Sequence, residues 1–590
     1  MVGMRILPTA VAAALLSAAC APQPAPGVFA HDSLRTLKPG RVVGVRMPDG
    51  THAWRGIPFA EPPVGERRWR APAPVTAWSG ILHAQVSGNP CPQFASPLGG
   101  VPGDPGEIVG SEDCLTLDVY APRLTPAAVT QTALPVMVWL HGGGNSIGTA
   151  RNYYGGALAK RANVIVVAVQ YRLGPLGWFR HAALRAGASP EEASGNFGTL
   201  DQIAALRWVQ DNVAAFGGDP GNVTVFGESA GGRNTLAMLV SPLARGLFHR
   251  AIDQSGALAC STAAEAENDA AAGGQARSSA ELVKALAAAG GATAPAGPAA
   301  AAYLRGTSAA ALLAVSRTPG QAALLLYPQT FADGVVLPAD CDAGFARAGG
   351  WNRVPVIVGA NRDEARLFLF ANPQYVKRRF GLIPRYVVEP EVYLATAYHA
   401  SRGWRFAMTD DVAARLAAGG GEVYVYRFEW NDLPTVFGAD LAAMLGASHG
   451  FEIPFVFGNF DLGPESARLF TDDTLASRLA LSQKMMDYWG AFARHGTPGA
   501  VDGVAWAPWT AAAPQRIVFD TPAGGGVRMK PGADSMPAVV AAVRADPVLD
   551  GQAKCRILLA FAQRGAGFDQ AQYEALTECR DLPYRPRSEP

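Results

Sequence analysis

Gly227-Glu228-Ser229-Ala230-Gly231 constrains this chain more than any other stretch of it. The five residues match G-x-S-x-G and stand where a strand should turn into a helix. Upstream, Asn222-Val223-Thr224-Val225-Phe226 is short, β-branched and apolar, which predicts a buried strand. Downstream, Gly232 to Val240 reads as the start of a helix. A serine between such elements sits on a tight turn that small neighbours permit. The turn lifts its hydroxyl out of the sheet and sets it at the end of a helix dipole. Alone, the motif is as easily an ordinary turn, because Gly, Ala and Ser are abundant here. The weight falls on what accompanies it.

A serine hydroxyl is a poor nucleophile at neutral pH. It needs an imidazole to take its proton, a carboxylate to orient that imidazole, and donors for the oxyanion that forms. Where such an elbow is used, the chain order is serine, acid, histidine. Of the nine histidines, His399, His449 and His495 lie far enough beyond Ser229 to leave room for an acid. His399 falls in a helix-like run, and His495 before Gly496 reads as a helix C-terminus. His449 lies in a Gly-flanked loop, Gly446 to Pro454, of the kind that presents catalytic groups. For the acid, the strand-like Val354 to Gly359 runs into Asp363-Glu364, and spacing does not choose between the two.

The oxyanion donors have a candidate in His141-Gly142-Gly143-Gly144. It follows the buried-strand pattern Leu134 to Leu140. Successive glycines let the main chain approach an acyl carbon and aim N–H groups at it. A flexible glycine loop is the bland alternative. A strand ending in H-G-G-G upstream of an elbow is more specific than either part alone.

Taken together, these segments resemble the carboxylesterase type B family, the group that includes the cholinesterases. The resemblance also rests on Glu112 to Tyr120, Tyr171 to Gly177, Gly195 to Gly198 with Asp201-Gln202, Arg55 to Ala60, Phe216 to Pro220, and His449 to Ile453. It spans roughly residues 40 to 500 in the right order. It implies an α/β-hydrolase fold: a large, mostly parallel, twisted central sheet flanked by helices, with insertions forming a cap and gorge. It implies a serine carboxylic-ester hydrolase with Ser229 as nucleophile, Glu364 as acid and His449 as base. Gly143, Gly144 and Ala230 match the oxyanion-hole positions. Arg55 with Glu112 and Arg172 with Asp201 match structural ion pairs, and Cys91–Cys114 matches an early disulfide. Two positions depart from the family. Asn145 replaces a frequent aromatic residue after the glycines, which predicts an altered pocket wall, and Ala365 replaces a glycine after the acid. The Cys91 to Cys114 loop carries no Trp or Tyr, which argues against choline esters. Rival readings are a non-catalytic binding or adhesion module, a lipase, and an amide or carbamate hydrolase.

Met1 to Ala19 carries one positive charge and a short apolar core, the pattern of a secretory signal over residues 1–20. Leu16 to Cys20 resembles a bacterial lipoprotein signal, with Cys20 as the lipidated residue. Cleavage by ordinary signal peptidase is the alternative. An exported protein is expected: periplasmic, outer-membrane-anchored or secreted. Apart from Cys20, six cysteines remain, an even number that suggests disulfides. After Cys91–Cys114, proximity favours Cys260–Cys341 and Cys555–Cys579, while the sequence leaves the pairing of these four open. No cysteine spacing suggests a metal site, and no cofactor motif appears. A net charge of +1 offers no footprint for nucleic acid. The expected partner is a small-molecule ester, with membrane contact through an N-terminal lipid alone. Residues 21–40 read as a tether, 41–545 as one catalytic domain and 546–590 as an extension packed on it. Within the Ala/Gly-rich run 263–302, Ser278 to Leu286 reads as a serine-capped helix, and Gly290 to Ala302 as a flexible connection.

Overall fold

The computed structural model describes residues 27–317, 323–378, 385–461, 466–565 and 567–584. The apolar leader and Cys20 lie outside them. The strands that build the main sheet are β1 (Val28–Phe29), β2 (Val45–Arg46), β3 (His52–Pro58), β4 (Thr116–Ala121), β5 (Leu134–Leu140) and β6 (Ile165–Val169). They continue as β7 (Gly218–Glu228), β8 (Arg250–Gln254), β9 (Val356–Asn361), β10 (Val423–Phe428), β11 (Gln515–Phe519) and β12 (Arg528–Pro531). Their order across the sheet is β1-β2-β3-β4-β6-β5-β7-β8-β9-β10-β11-β12. From β6 to β11 every neighbouring pair is parallel. The two edges are closed by antiparallel pairs.

The central strands are apolar at almost every position because both faces are covered. Along β5, Val136, Val138 and Leu140 join one core and Met137 and Trp139 the other. The first core is covered by α2 (Phe197–Asn212) and α3 (Ala230–Val240). The second is covered by α1 (Gly156–Ala162) and α5 (Leu475–His495). This alternation of period two fixes the register of each strand, since a one-residue slip would exchange the two faces.

Two stretches are more ordered than the composition implies. Val28 and Phe29, within the expected tether, pair antiparallel with Arg46 and Val45. A 3₁₀ turn at His31–Ser33 follows, in which Ser33 Oγ donates to Ala30 O at 2.6 Å. The tether therefore does not extend to residue 40. Within Gly290–Ala302, a helix begins at Pro298 and runs to Gly306. Proline fits the first helical turn, where its missing N–H costs nothing, and an alanine run propagates from it. The helix expected near 278 is present as Ser279–Ala289, and the Ser278 side chain accepts from Glu281 N.

The structure pairs Cys91 with Cys114, Cys260 with Cys341 and Cys555 with Cys579. Three such bonds point to an oxidising compartment. Near the C-terminus, α6 (Met536–Ala545) and α7 (Gly551–Ala562) form a small core of their own, with Val539, Leu558 and Phe561 at its centre. Phe561 packs on α4 (Pro390–Arg405) so closely that a Cβ on Gly403 would lie 2.1 Å from its ring. No described helix is long and apolar enough to cross a membrane.

Candidate active site

Ser229, the glycine run and Glu364 each stand just beyond the C-terminal end of a parallel strand, where open α/β sheets place ligands, and His449 lies on a later loop that Asn361 holds to β9. Ser229 follows β7 and precedes α3, with φ 58° and ψ −117°. That strained conformation is the tight turn its small neighbours predict. The neighbours are small because there is no room: a Cβ on Gly231 would sit 1.9 Å from the Leu140 carbonyl, and one on Gly227 2.5 Å from the Gly231 backbone. Ser229 is half-buried and its amide donates to Gln254 O at 2.8 Å. Ala230 is the first residue of α3, so its N–H has no partner within the helix.

The glycine run lies beside this turn. A Cβ on Gly142 would meet Glu228 Oε2 at 2.8 Å and Ser229 Cβ at 3.2 Å. Gly143 and Gly144 have φ of 98° and 64°, so both positions favour glycine. Their amides donate to no described acceptor. Asn145, the departure expected to alter the pocket wall, is directed into the interior. It is fully buried, takes a hydrogen bond from Asn234 Nδ2 at 2.9 Å and donates to Gln329 Oε1 at 3.0 Å. Its side chain turns inward to satisfy these amides, and Gln329 Nε2 returns a bond to Gly144 O at 3.1 Å. Asn145 thus braces the loop from behind.

Between the two adjacent carboxylates the structure makes a clear distinction. Glu364 is fully buried, and its Oε2 lies 2.5 Å from His449 Nδ1. Its other oxygen accepts from Ser255 Oγ and from Asn361 N, both at 2.7 Å. Asp363 instead pairs with Arg362 at 2.8 Å and accepts from Ala447 N at 3.0 Å. Asn361 Nδ2 donates to Ser448 O at 2.8 Å and to Glu452 Oε2 at 2.5 Å, which ties the histidine loop to β9.

His449 Nε2 makes no hydrogen bond among the described residues and lies 3.2 Å from Glu228 Oε1. Burial opposes charging of the imidazole, but Glu228 and Glu364 beside it outweigh that and raise its pKa. Burial also raises the Glu228 carboxyl, with Glu452 and Glu364 adding to the effect and His449 opposing it. The other two late histidines are elsewhere. His399 faces Asp546 at 2.8 Å, and His495 ends α5 before Gly496, at φ 80°.

Two aromatic rings that sequence reasoning passed over flank His449. Trp404 lies 5.2 Å and Phe368 5.5 Å from it, centroid to centroid, and the two stack on each other at 5.1 Å. The Arg564 guanidinium covers Trp404 at 4.8 Å. Of the expected ion pairs, Arg172 and Asp201 form a buried two-point bond at 2.8 and 2.6 Å. Glu112 pairs with Arg68 rather than Arg55, through Arg68 Nε at 2.7 Å and a second contact from Nη2. Arg55 sits instead near Asp118, which also accepts the Gly56 amide at 2.8 Å.

The model of the carboxylesterase family matches residues 31–411 and 404–531. The chain belongs to that family. It is 34% identical over 521 residues to a para-nitrobenzyl esterase of Bacillus subtilis (strain 168), covering 82% of this chain and 94% of the relative. It is 35% identical over 503 residues to a fumonisin B1 esterase of Sphingopyxis macrogoltabida, covering 79% and 82%. A solved PNB esterase structure superimposes with a TM-score of 0.65 at 29% identity, over 86% of this chain and 99% of that one. The carboxylesterase is a carboxylic ester hydrolase on an α/β-hydrolase fold, with small-molecule esters as substrates. Its α6 and α7 lie beyond the matched residues.

Proposed function

We propose that this carboxylesterase works through an acyl-enzyme on Ser229, with His449 as base and Glu364 as its orienting acid. The observation that carries the reading is the 2.5 Å contact of His449 Nδ1 with Glu364, while His449 Nε2 lies 3.2 Å from Glu228, the residue that precedes the serine of the strained elbow. His449 takes the Ser229 proton as the oxygen attacks the ester carbonyl. The amides of Gly143, Gly144 and Ala230 hold the oxyanion, and one such donor is worth about 3 kcal/mol of barrier. His449 then protonates the leaving alcohol and activates the water that releases the acid. The disulfides favour a site of action outside the cytoplasm.

Glu228 tunes the base. Hydrolysis needs neutral His449, so the rate rises as pH climbs through the histidine's pKa. An ionised Glu228 raises that pKa. Glu228→Gln is therefore expected to move the acid limb of kcat/KM to lower pH by about one unit or more. Because the two carboxylates hold the histidine's pKa up at about 10, initial rates from neutral to alkaline pH check this, and an unmoved limb would show that the carboxylate does not act on the imidazole.

The stacked Trp404 and Phe368 suit a flat alcohol or acyl group, and one relative is named for a para-nitrobenzyl ester. Benzyl and aryl esters are expected to exceed ethyl esters of the same acid by about tenfold in kcat/KM, the scale of one aromatic contact. A panel of such pairs tests both activity and preference. Absence of hydrolysis across the panel would contradict the function, and equal rates would contradict the aromatic wall.

A further inference from the structure

Beside the loop that ends at Glu364, six cationic side chains share one cleft of about 460 Å³. Arg362, Arg402, Arg405, Arg427, Arg516 and Lys530 line it, opposed there by two carboxylates, Glu429 and Asp534. Arg402 takes Asp534 at 2.7 Å, Arg427 takes Glu429, and Arg362 takes Asp363 at 2.8 Å. Lys530 apart, that leaves Arg405 and Arg516 without a carboxylate in ion-pair contact among the described residues. Each spends one nitrogen on a backbone carbonyl, Arg405 on Arg362 O and Arg516 on Gly532 O. The Nε of each is buried and has no hydrogen-bond partner among the described residues. Arg405 is only 8% exposed. Burial, with Arg427 adding to it, pulls the Arg405 pKa down to about 10, and burial lowers Arg516 as well. Asp410, which also faces Arg516, is engaged by the Asp534 amide at 3.1 Å.

Buried guanidinium groups crowded together are costly unless counter-charge is supplied. Their planar forks suit the oxygens of phosphate or carboxylate, which accept two parallel N–H bonds. We propose that this cleft is a binding site for a small oxyanion of two or more negative charges, of the phosphate or polycarboxylate class. Set against Glu429, Asp534, Asp363 and Asp410, the six cations leave a surplus of about two, which sets the charge, and the volume admits an organic group attached to the anion. Lys530, exposed at the rim, supplies a further cation. Ser229, Glu364 and His449 do not line the cleft, although Arg362 stands two residues before Glu364, Arg405 directly follows Trp404, and the Glu364 charge acts on Arg405.

Calorimetric titration with inorganic phosphate and with citrate, each against chloride at equal ionic strength, tests the proposal. Saturable binding of at least one anion is expected, weakened about tenfold or more in R516Q. Phosphate alone would assign the phosphate class, and citrate alone the polycarboxylates. K530Q is expected to weaken binding while hydrolysing esters at the unaltered rate, which separates loss of the site from loss of the fold. No saturable heat from either anion, or unchanged binding in both variants, would overturn the assignment.

Discussion

Ser229→Ala is expected to lower kcat by about five to six orders of magnitude and to leave the fold intact. The hydroxyl is the one atom in the proposed sequence that bonds to the acyl carbon. Removing it leaves the donors of Gly143, Gly144 and Ala230 to position an ester that nothing attacks. The fold should persist because the half-buried side chain loses a single oxygen that makes no hydrogen bond to any described residue. Circular dichroism melting beside kcat on an aryl ester checks both halves. A folded Ser229→Ala protein that turned over at more than a trace rate would remove the nucleophile from the account.

Glu364→Gln is expected to cost about four orders of magnitude in kcat, and the reason is geometric. One carboxylate oxygen already accepts from Ser255 Oγ and Asn361 N. A glutamine would keep its carbonyl oxygen on those two donors. Its NH2 group would then face His449 Nδ1, where Glu364 Oε2 now lies 2.5 Å away. An amide donor there favours the tautomer with its proton on Nε2, which cannot accept a proton from serine. A loss of less than about tenfold would mean that Glu364 does not set the tautomer, since orientation alone is worth more than that.

Much of this site was legible in the sequence because its constraints are local. The elbow needs small residues within two positions of Ser229, and the backbone clashes at Gly227 and Gly231 show why. Buried parallel strands reveal themselves through unbroken apolar runs such as Leu134–Leu140, since both faces are covered. What escaped depends on distant side-chain direction. Asn145 follows the glycines as expected but turns inward, because Asn234 and Gln329, 89 and 184 residues away, offer it partners. Glu112 meets Arg68, whose guanidinium is also held by the Thr307 carbonyl from far along the chain. Trp404 reads as one more residue of a helix until α4 is packed beside the His449 loop. The cationic cleft gathers side chains from β10, β11, β12 and α4, so no window of sequence contains it.

Covalent trapping tests the central claim most directly. A fluorophosphonate should stop hydrolysis in proportion to its incorporation, and mass spectrometry should find one adduct, on the peptide containing Ser229. Inactivation with the phosphonyl group on another residue, or full hydrolysis by protein that carries it on Ser229, would contradict the account.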